Sequence, residues 1–310
     1  MSAPYQSFRK AIQPAVDSVR ARLLKRQILN GLASDTTGYA FTRQDVGLYI
    51  QERFGRAHSA EVEHTDEADL VRLTIDGRSI FWPASLAHDD LPWLYREVFD
   101  SFDANPSSYD HPSLDYGRRR WILDAGAAEG YFSVFALERS GARVLSVEPL
   151  AVMQRPLART LASHARGREA FVVPAALGEK PGSALLQVDA KHICDSKLVD
   201  LPAAGRESGS GGATESVAVA TIDLLAAQHS LAGDGLIKMD VEGFEMAALT
   251  GAARTLRDHK PALAIAVYHE LENARKCAQI IRAANPAYEI EFRGYYGWFQ
   301  PPRPYMLFAT

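Results

Sequence analysis

The amino-acid sequence predicts a doubly wound α/β fold whose mostly parallel sheet ends in an antiparallel hairpin. From residue 121 onward, short apolar runs alternate with helical patterns, which is typical of βαβ units. Glycines and acidic residues follow several of these runs, where ligands bind in such folds. The last two runs are joined by a segment too short for a crossover helix, so they should pair antiparallel. We expect this domain over 116–310 and an N-terminal extension over 1–115.

Composition and charge narrow the class of protein. The chain has 310 residues, of which 47% are hydrophobic and 23% charged, as in an ordinary globular protein with a large core. Its net charge of −4 gives no reason to expect nucleic acid as a partner. Cys194 and Cys277 lack metal-binding spacing and fit a reducing compartment. With no run of about 18 apolar residues and no leader pattern, we expect a cytoplasmic protein without a transmembrane segment.

The extension begins with two predicted helices. Residues 9–30 place apolar side chains at helical spacing among basic ones, which predicts a basic amphipathic helix. Such a helix packs on the body or on a second subunit in a homodimer, and contact with a membrane surface or an anionic polymer is the alternative. Residues 42–53 also have a helical pattern.

A hairpin and a third helix complete the extension. Residues 70–75 and 78–82 read as strands joined by an Asp-Gly turn, and the acidic stretch 61–69 before them reads as a solvated loop. An aromatic-rich helix is predicted over 91–102, and a polar, proline-bearing linker over 103–116 marks the domain boundary. We expect the extension to shape the pocket of the second domain that accepts its substrate, or to form a dimer contact.

The second domain alternates in a regular way. Its predicted strands are 121–124, 143–147, 170–174, 183–188, 216–221, 236–240, 262–268, 288–292 and 305–309. Its predicted helices are 130–140, 151–165, 245–257 and 273–285. The glycine- and serine-rich stretch 203–213 is a surface excursion or, alternatively, a loop that orders over substrate.

The stretch from Trp121 to Phe132 predicts a cofactor-binding turn. A buried strand ends in Asp124, and Gly126 and Gly130 follow before a helix begins. A dinucleotide fingerprint needs Gly-x-Gly-x-x-Gly, but its third and sixth places here hold Ala128 and Tyr131. Asp-x-Gly-x-x-x-Gly suits a ligand with an amino-acid end and a nucleoside end, such as S-adenosylmethionine (SAM).

A second acid supports this interpretation. Glu148 ends the next predicted strand, where its carboxylate can accept hydrogen bonds from two ribose hydroxyls. An NAD site also uses an acid at this place, so the missing glycines decide between the two cofactors.

Several motifs together resemble the FkbM family of SAM-dependent methyltransferases. The matching pieces cover about residues 120–270 in the family's order and are Asp124–Ser133, Val147-Glu148-Pro149, Ala175–Gly178, Thr221-Ile222-Asp223, Ile237–Glu245 and Tyr268-His269. The resemblance implies a Rossmann-like methyltransferase sheet and methyl transfer from SAM to a hydroxyl of a sugar, a glycan precursor or a natural product. The cofactor contacts that we expect are Asp124, Gly126, Ala127, Glu129, Gly130, Tyr131, Phe132, Glu148, Pro149, Ala176, Leu177 and Asp240.

Four residues are candidates for the chemistry. His269 is the expected general base because it follows a central strand and titrates near working pH, and Asp240 competes for that role. Lys238 lies on the same side of its strand as Asp240 and is expected to form an ion pair with it. Glu242 either contacts substrate or caps the next helix. The side chains of His269, Asp240 and Glu242 could also chelate a cation, but their spacing is not diagnostic and we predict no metal.

Other functions remain open at this point. Methylation of an amine is the near alternative within the same fold and would need less of a base. An NAD(P)-dependent oxidoreductase and a SAM-binding module without turnover are alternatives from other classes. The missing dinucleotide glycines argue against the oxidoreductase. The intact set of acids, glycines and histidine argues against a binding module without turnover.

Overall fold

The computed structural model describes residues 3–32, 38–54, 58–188, 197–199 and 214–310. The strands are β1 (Glu61–His64), β2 (Leu70–Ile75), β3 (Arg78–Pro83), β4 (Trp121–Ala125), β5 (Arg143–Val147), β6 (Ala170–Val173), β7 (Ala176–Leu177), β8 (Gly182–Gln187), β9 (Lys197–Val199), β10 (Thr214–Ala220), β11 (Gly235–Met239), β12 (Ala262–Ala266), β13 (Ile290–Tyr296) and β14 (Arg303–Ala309). The helices are α1 (Ala3–Leu32), α2 (Asp45–Phe54), α3 (Leu91–Phe99), α4 (Tyr131–Arg139), α5 (Ala151–His164), α6 (Ile222–Gln228), α7 (Glu245–Thr250), α8 (Ala253–His259) and α9 (Asn273–Ala284).

A seven-stranded sheet forms the centre of the segment from residue 121 onward, in the order β13-β14-β12-β11-β4-β5-β6. The pairs from β12 across to β6 are parallel, and β14 pairs antiparallel with both β12 and β13. This arrangement confirms the predicted doubly wound fold and its terminal antiparallel hairpin. The carboxyl ends of β4, β5, β11 and β12 consequently meet at one edge of the sheet.

The core lies on both faces of this sheet. Every residue of β4, β11, β12 and β14 is buried, which is why these strands read as continuous apolar runs. One face packs on side chains that include Phe132, Phe135 and Phe308, and the other on side chains that include Leu249 and Ile281. Burial of side chains on two faces fixes the strand ends that carry the polar groups described below.

The extension contains the predicted hairpin. β2 and β3 pair through Asp76 and Gly77, which both have positive φ (48° and 78°), as a two-residue hairpin turn with the twist of the strands requires. β3 then meets α5, where the Phe81 amide donates to the Thr160 hydroxyl at 2.9 Å. Trp82 and Leu73 belong to the same apolar cluster as Phe132. The hairpin therefore packs directly on the helices that cover the seven-stranded sheet.

Three predictions need correction in detail. The expected loop over 61–69 begins with a strand, because Glu61–His64 pair antiparallel with β2 while their side chains stay exposed. The expected helix over 245–257 is divided into α7 and α8 at Gly251, where a Cβ would lie 2.2 Å from the Gly178 carbonyl oxygen. The predicted strands near 183–188 and 216–221 form a separate four-stranded sheet, β7-β10-β8-β9. The stretch 203–213 lies outside the described residues.

The expected linker is packed against the body. Asn105, Ser108 and Leu114 are fully buried, and the Tyr116 hydroxyl donates to the Tyr109 carbonyl oxygen at 2.7 Å. The helices predicted over 9–30, 42–53 and 91–102 are present as α1, α2 and α3. In the part of the chain that the structure describes, no helix is both long enough and apolar enough to cross a membrane.

Candidate active site

A cavity of about 460 Å³ opens at the carboxyl ends of the parallel strands. One half, which we call the cofactor half because the sequence predicts cofactor contacts there, follows β4, β5 and β6 and is lined by Gly126, Ala128, Glu129, Glu148, Pro149, Ala176 and Leu177. The other, which we call the acceptor half, follows β11, β12 and the β13–β14 hairpin and is lined by Asp240, Glu242, Tyr268, Tyr296, Trp298 and Tyr305. The N-terminal lining of the cavity consists of Trp82, Trp93, Leu94 and Tyr109, among others.

The glycine turn after β4 forms the floor of the cofactor half. Gly126 has φ +74°, and a Cβ there would lie 1.8 Å from the Asp240 carbonyl oxygen, so a side chain cannot fit. The Gly126 and Ala127 amides both donate to the Val147 carbonyl oxygen at 3.1 Å, which fixes the turn against β5. Gly130, with φ +90°, then begins α4. The turn is therefore packed closely against the end of β11, which only a glycine at position 126 permits.

Glu148 presents a buried carboxylate to the same half of the cavity. It is only 3% exposed, and its two oxygens accept the amides of Ala128 (2.9 Å) and Leu150 (2.8 Å). Burial raises the pKa of this carboxyl to about 7, although the two amide hydrogen bonds favour the ionised form. Each oxygen keeps a second lone pair, so the group can accept two hydroxyl donors from a ligand.

The residues that the sequence predicts to contact the cofactor divide into two groups. Among the described residues, those that line the cavity are Gly126, Glu129, Phe132, Glu148, Pro149, Ala176, Leu177 and Asp240. Those that lie behind this lining are Asp124, Ala127, Gly130 and Tyr131, and Asp124 and Tyr131 are fully buried. Glu129 is nearly buried beside the turn, and burial raises its pKa to about 7.

Asp124 anchors a buried polar cluster beneath the turn. Its Oδ1 lies 3.1 Å from Lys238 Nζ, and its Oδ2 accepts the Ser133 hydroxyl at 2.6 Å. Lys238 also donates to the Gly126 carbonyl oxygen at 2.6 Å, which ties the ammonium to the glycine turn. The expected ion pair of Lys238 with Asp240 is thus replaced by a direct pair with Asp124. Burial lowers the pKa of Lys238, but attraction to Asp124, Asp240 and Glu129 raises it overall.

A second polar cluster surrounds His269 in the acceptor half. Nε2 lies 3.5 Å from Asp240 Oδ1 and 3.3 Å from Glu242 Oε2, while Nδ1 lies 3.2 Å from Glu245 Oε1. Glu245 is fully buried, accepts the Asn273 side-chain amide at 2.8 Å, and accepts the Val241 and Gly243 amides ahead of α7. Glu245 therefore fixes the loop between β11 and α7, whereas α7 itself begins without a side-chain cap from its N-cap residue Phe244.

The charges around His269 change its expected chemistry. Burial alone would lower the pKa of His269, but hydrogen bonding and attraction from Glu242, Glu245 and Asp240 raise it to about 11. These carboxylates therefore favour the protonated imidazole, and a role of His269 as general base stays a prediction. The imidazole also lies behind Asp240 and Glu242, which line the cavity. The geometry thus places the two carboxylates, rather than the imidazole, where a ligand would meet them.

The same groups are also arranged as cation ligands. One ligand atom each from Asp240, Glu242 and His269 lies within 4.8 Å of the others. A protonated His269 supplies a positive charge at this point by itself.

The aromatic lining of the acceptor half was not predicted from the sequence. The rings of Tyr268, Tyr296 and Tyr305 form a group with centroids 4.7 to 5.4 Å apart. Trp298 is 48% exposed at the tip of the β13–β14 hairpin, and its ring meets Tyr49 edge-on at 5.4 Å. These residues lie on separate segments: Tyr268 belongs to the Tyr268-His269 motif, and Tyr296 and Trp298 belong to an aromatic-rich stretch at 294–304. Pairing of β13 with β14 brings the stretch to the cavity.

Comparison with known proteins identifies one family. A family profile described as "Methyltransferase FkbM domain" matches residues 124–295, which is more than half of the chain. No curated protein matches.

Solved structures with a similar chain path include a methyltransferase FkbM from Methylobacillus flagellatus KT, at 22% identity and a TM-score of 0.47. The match covers 73% of this chain and 56% of that protein, so this chain spans little more than half of its length. A SAM-dependent O-methyltransferase from Thermotoga maritima is 14% identical, with 84% and 80% of the two chains covered and a TM-score of 0.38. An Aeropyrum pernix fibrillarin with natively bound SAM is 11% identical, with 82% and 100% covered and a TM-score of 0.37.

Proposed function

Because the chain belongs to the FkbM family of methyltransferases, whose cofactor is SAM, we propose that it transfers a methyl group from SAM to a hydroxyl of a small molecule, such as a natural product or a glycan precursor. One observation carries the proposal. A single cavity is lined on one side by the Gly126 turn and the Glu148 carboxylate, which can bind ribose hydroxyls. On its other side it is lined by the carboxylates of Asp240 and Glu242, which follow β11. A cofactor on one side would thus face a proton acceptor on the other.

The residues of the cofactor half fit SAM. Gly126 lines this half in a turn that packs on the Asp240 carbonyl oxygen, and Glu148 offers carboxylate oxygens to the ribose hydroxyls. Ala176 and Leu177 add an apolar surface suited to the adenine ring. When bound, SAM supplies a sulfonium-activated methyl group, so the protein needs to align the acceptor oxygen and remove its proton. Alignment of this kind can contribute about 7 to 11 kcal/mol.

Asp240 is our candidate for the proton acceptor. Its carboxylate lines the cavity, and burial raises its pKa above the ordinary range of an aspartate, which strengthens it as a base. His269 then acts as a positioning residue, whose imidazolium holds Asp240 and Glu242 from behind. Glu245 fixes the imidazole through Nδ1 and is itself fixed by Asn273. Glu242, also in the lining, is placed to contact the acceptor.

The buried pair of Asp124 and Lys238 supports both halves. The ammonium holds the carbonyl oxygen of Gly126 on one side, and its strand leads directly to Asp240 on the other. Asp124 has no surface on the cavity among the described residues, so we assign it a supporting role instead of a contact with the methionine end of SAM.

The N-terminal extension contributes to the acceptor site in this proposal. Trp82, Trp93, Leu94 and Tyr109 line the cavity although they lie outside the 124–295 family match. Acceptor selection by the extension would explain why the family motifs alone do not specify the substrate.

The proposal is tested by following transfer from methyl-labelled SAM to a panel of hydroxyl and amine acceptors. We expect O-methyl products identified by mass spectrometry and equal amounts of S-adenosylhomocysteine (SAH). Products methylated only at nitrogen would favour the amine alternative, for which a neutral amine needs no base. A protein that binds SAH but transfers no methyl group to any acceptor would favour a binding module.

A further inference from the structure

The cavity also carries information about the acceptor, and this inference rests on the proposed function. Aromatic rings from separate segments line it, namely Trp82 and Trp93 from the extension, Tyr268 after β12, and Tyr296, Trp298 and Tyr305 from the terminal hairpin. Tyr268 and Tyr296 are partly exposed, and their rings lie 4.7 Å apart at the centroids. Ring faces of this kind bind flat apolar groups by stacking and edge contacts. The lining therefore favours an acceptor with a flat aromatic body.

The charges of the lining are strongly one-sided. Among the described residues it contains six carboxylates, which are Asp90, Glu97, Glu129, Glu148, Asp240 and Glu242. Lys238 is the lining's one lysine or arginine within the described residues, and Asp124 and the Gly126 carbonyl oxygen already hold its ammonium. The nearby Arg303 guanidinium stacks on Phe299 at 4.3 Å and lies outside the lining. A phosphate or carboxylate on the acceptor would meet carboxyl groups in this lining instead of arginine or further lysine side chains.

The proton acceptor adds a third constraint. A carboxylate removes a proton most effectively from a hydroxyl that is not too weak an acid. A phenol, which has a pKa of about 10 like the tyrosine side chain, meets this need far better than an aliphatic sugar hydroxyl. The aromatic rings of the lining, its carboxyl groups and the need for an acidic hydroxyl thus all favour the same class of acceptor.

We propose that the acceptor is an uncharged phenol on a flat aromatic body, and that sugar nucleotides and other phosphorylated acceptors are excluded. In the transfer, the phenol oxygen forms a bond to the methyl carbon while the carbon–sulfur bond of SAM breaks. The phenol proton passes to Asp240, and SAH leaves as the neutral thioether. The charge on the sulfonium is consumed and one proton is released, so the step is balanced.

The test is a binding comparison by calorimetry, with 1-naphthol, 1-naphthyl phosphate and UDP-glucose as probes. SAH is titrated first, and the three probes are then titrated into the SAH-saturated protein. We expect 1-naphthol to bind at least about tenfold more tightly than 1-naphthyl phosphate, with no heat from UDP-glucose. Failure of SAH to bind would contradict the proposed function, whereas SAH binding without 1-naphthol binding up to about 1 mM would overturn only the acceptor class.

Variants locate the site. Tyr296→Ala should weaken the binding of 1-naphthol about fivefold or more, as expected for loss of an aromatic contact, and leave the affinity for SAH unchanged. Phe171→Ala is the matched control, because Phe171 is an aromatic residue 40% exposed on the edge strand β6 and outside the lining. This variant should change the affinity for neither 1-naphthol nor SAH. Equal or tighter binding of 1-naphthyl phosphate, lost again in Arg303→Gln, would overturn the proposal and assign an anion site to Arg303.

Discussion

The cofactor half of the cavity is built mainly from backbone, whereas the acceptor half is built from side chains. In the cofactor half, the Gly126 turn and the amides of Ala128 and Leu150 do the positioning, and they lie within one short stretch of sequence. In the acceptor half, Asp240, Tyr268 and Tyr296 come from three separate segments. A motif can encode the first kind of site because its parts are neighbours in the chain. The second kind depends on how distant segments pack.

The largest expected effect removes the support that both halves share. Lys238→Met should lower the free energy of unfolding by about 3 to 5 kcal/mol, because it leaves Asp124 charged and buried without its partner. Denaturant unfolding measures this loss. The double variant Lys238→Met/Asp124→Leu should recover part of it, since no buried charge then remains. No recovery in the double variant would contradict a simple ion-pair role.

A change at Asp240 should separate the two halves. Asp240→Asn keeps the shape of the side chain but cannot take a proton, so we expect kcat to fall about 10²- to 10⁴-fold. Its SAH affinity should change little. Glu179→Gln, at an exposed acid outside the cavity lining, is the control and should leave both quantities unchanged. A variant that loses SAH affinity as strongly as kcat would place Asp240 in the cofactor half instead.

A matched pair of glycine variants should break the cofactor half alone. Gly126→Ala places a Cβ against the Asp240 carbonyl oxygen, and Gly167→Ala imposes a similar positive φ with no atom within 4 Å. Both should lose about 1 kcal/mol or more of stability from backbone strain. Only Gly126→Ala should also weaken the binding of SAH, by about 100-fold, because the turn must move to accommodate the Cβ. Similar SAH affinities in the two variants would argue against close approach at the turn.

The smallest expected effect is a pH dependence of cofactor binding. Burial raises the pKa of Glu148 to about 7, so its carboxyl gains a proton as the pH falls through neutrality. The protonated group is the poorer acceptor for ribose hydroxyls, and SAH should therefore bind up to about tenfold more weakly at pH 6 than at pH 8. Titration of Glu148→Gln should give a flatter profile, with Glu129 contributing what remains. An unchanged slope in this variant would assign the pH dependence elsewhere.

The same contrast explains how much the sequence could predict. The parallel sheet, the terminal hairpin, the Asp76-Gly77 turn and the convergence of Glu148, Asp240 and His269 at the strand ends all follow from local patterns. The set of carboxylates around His269 does not, because Glu245 approaches its Nδ1 only through the packing of α7 beside the end of β12. Nor does the partner of Lys238, since a same-strand rule favours Asp240 while the sheet register puts Asp124 directly beside it. Cross-strand neighbours of this kind require the fold.

The most direct test of the account is a calorimetric titration of the wild-type protein with SAH and, separately, with NADH, repeated on Glu148→Ala. We predict that wild type binds SAH and not NADH, and that Glu148→Ala binds SAH about tenfold or more weakly, because the ribose hydroxyls lose a charged acceptor. Binding of NADH, or equal SAH affinity in the two proteins, would contradict the assignment of the Gly126 turn and Glu148 to SAM.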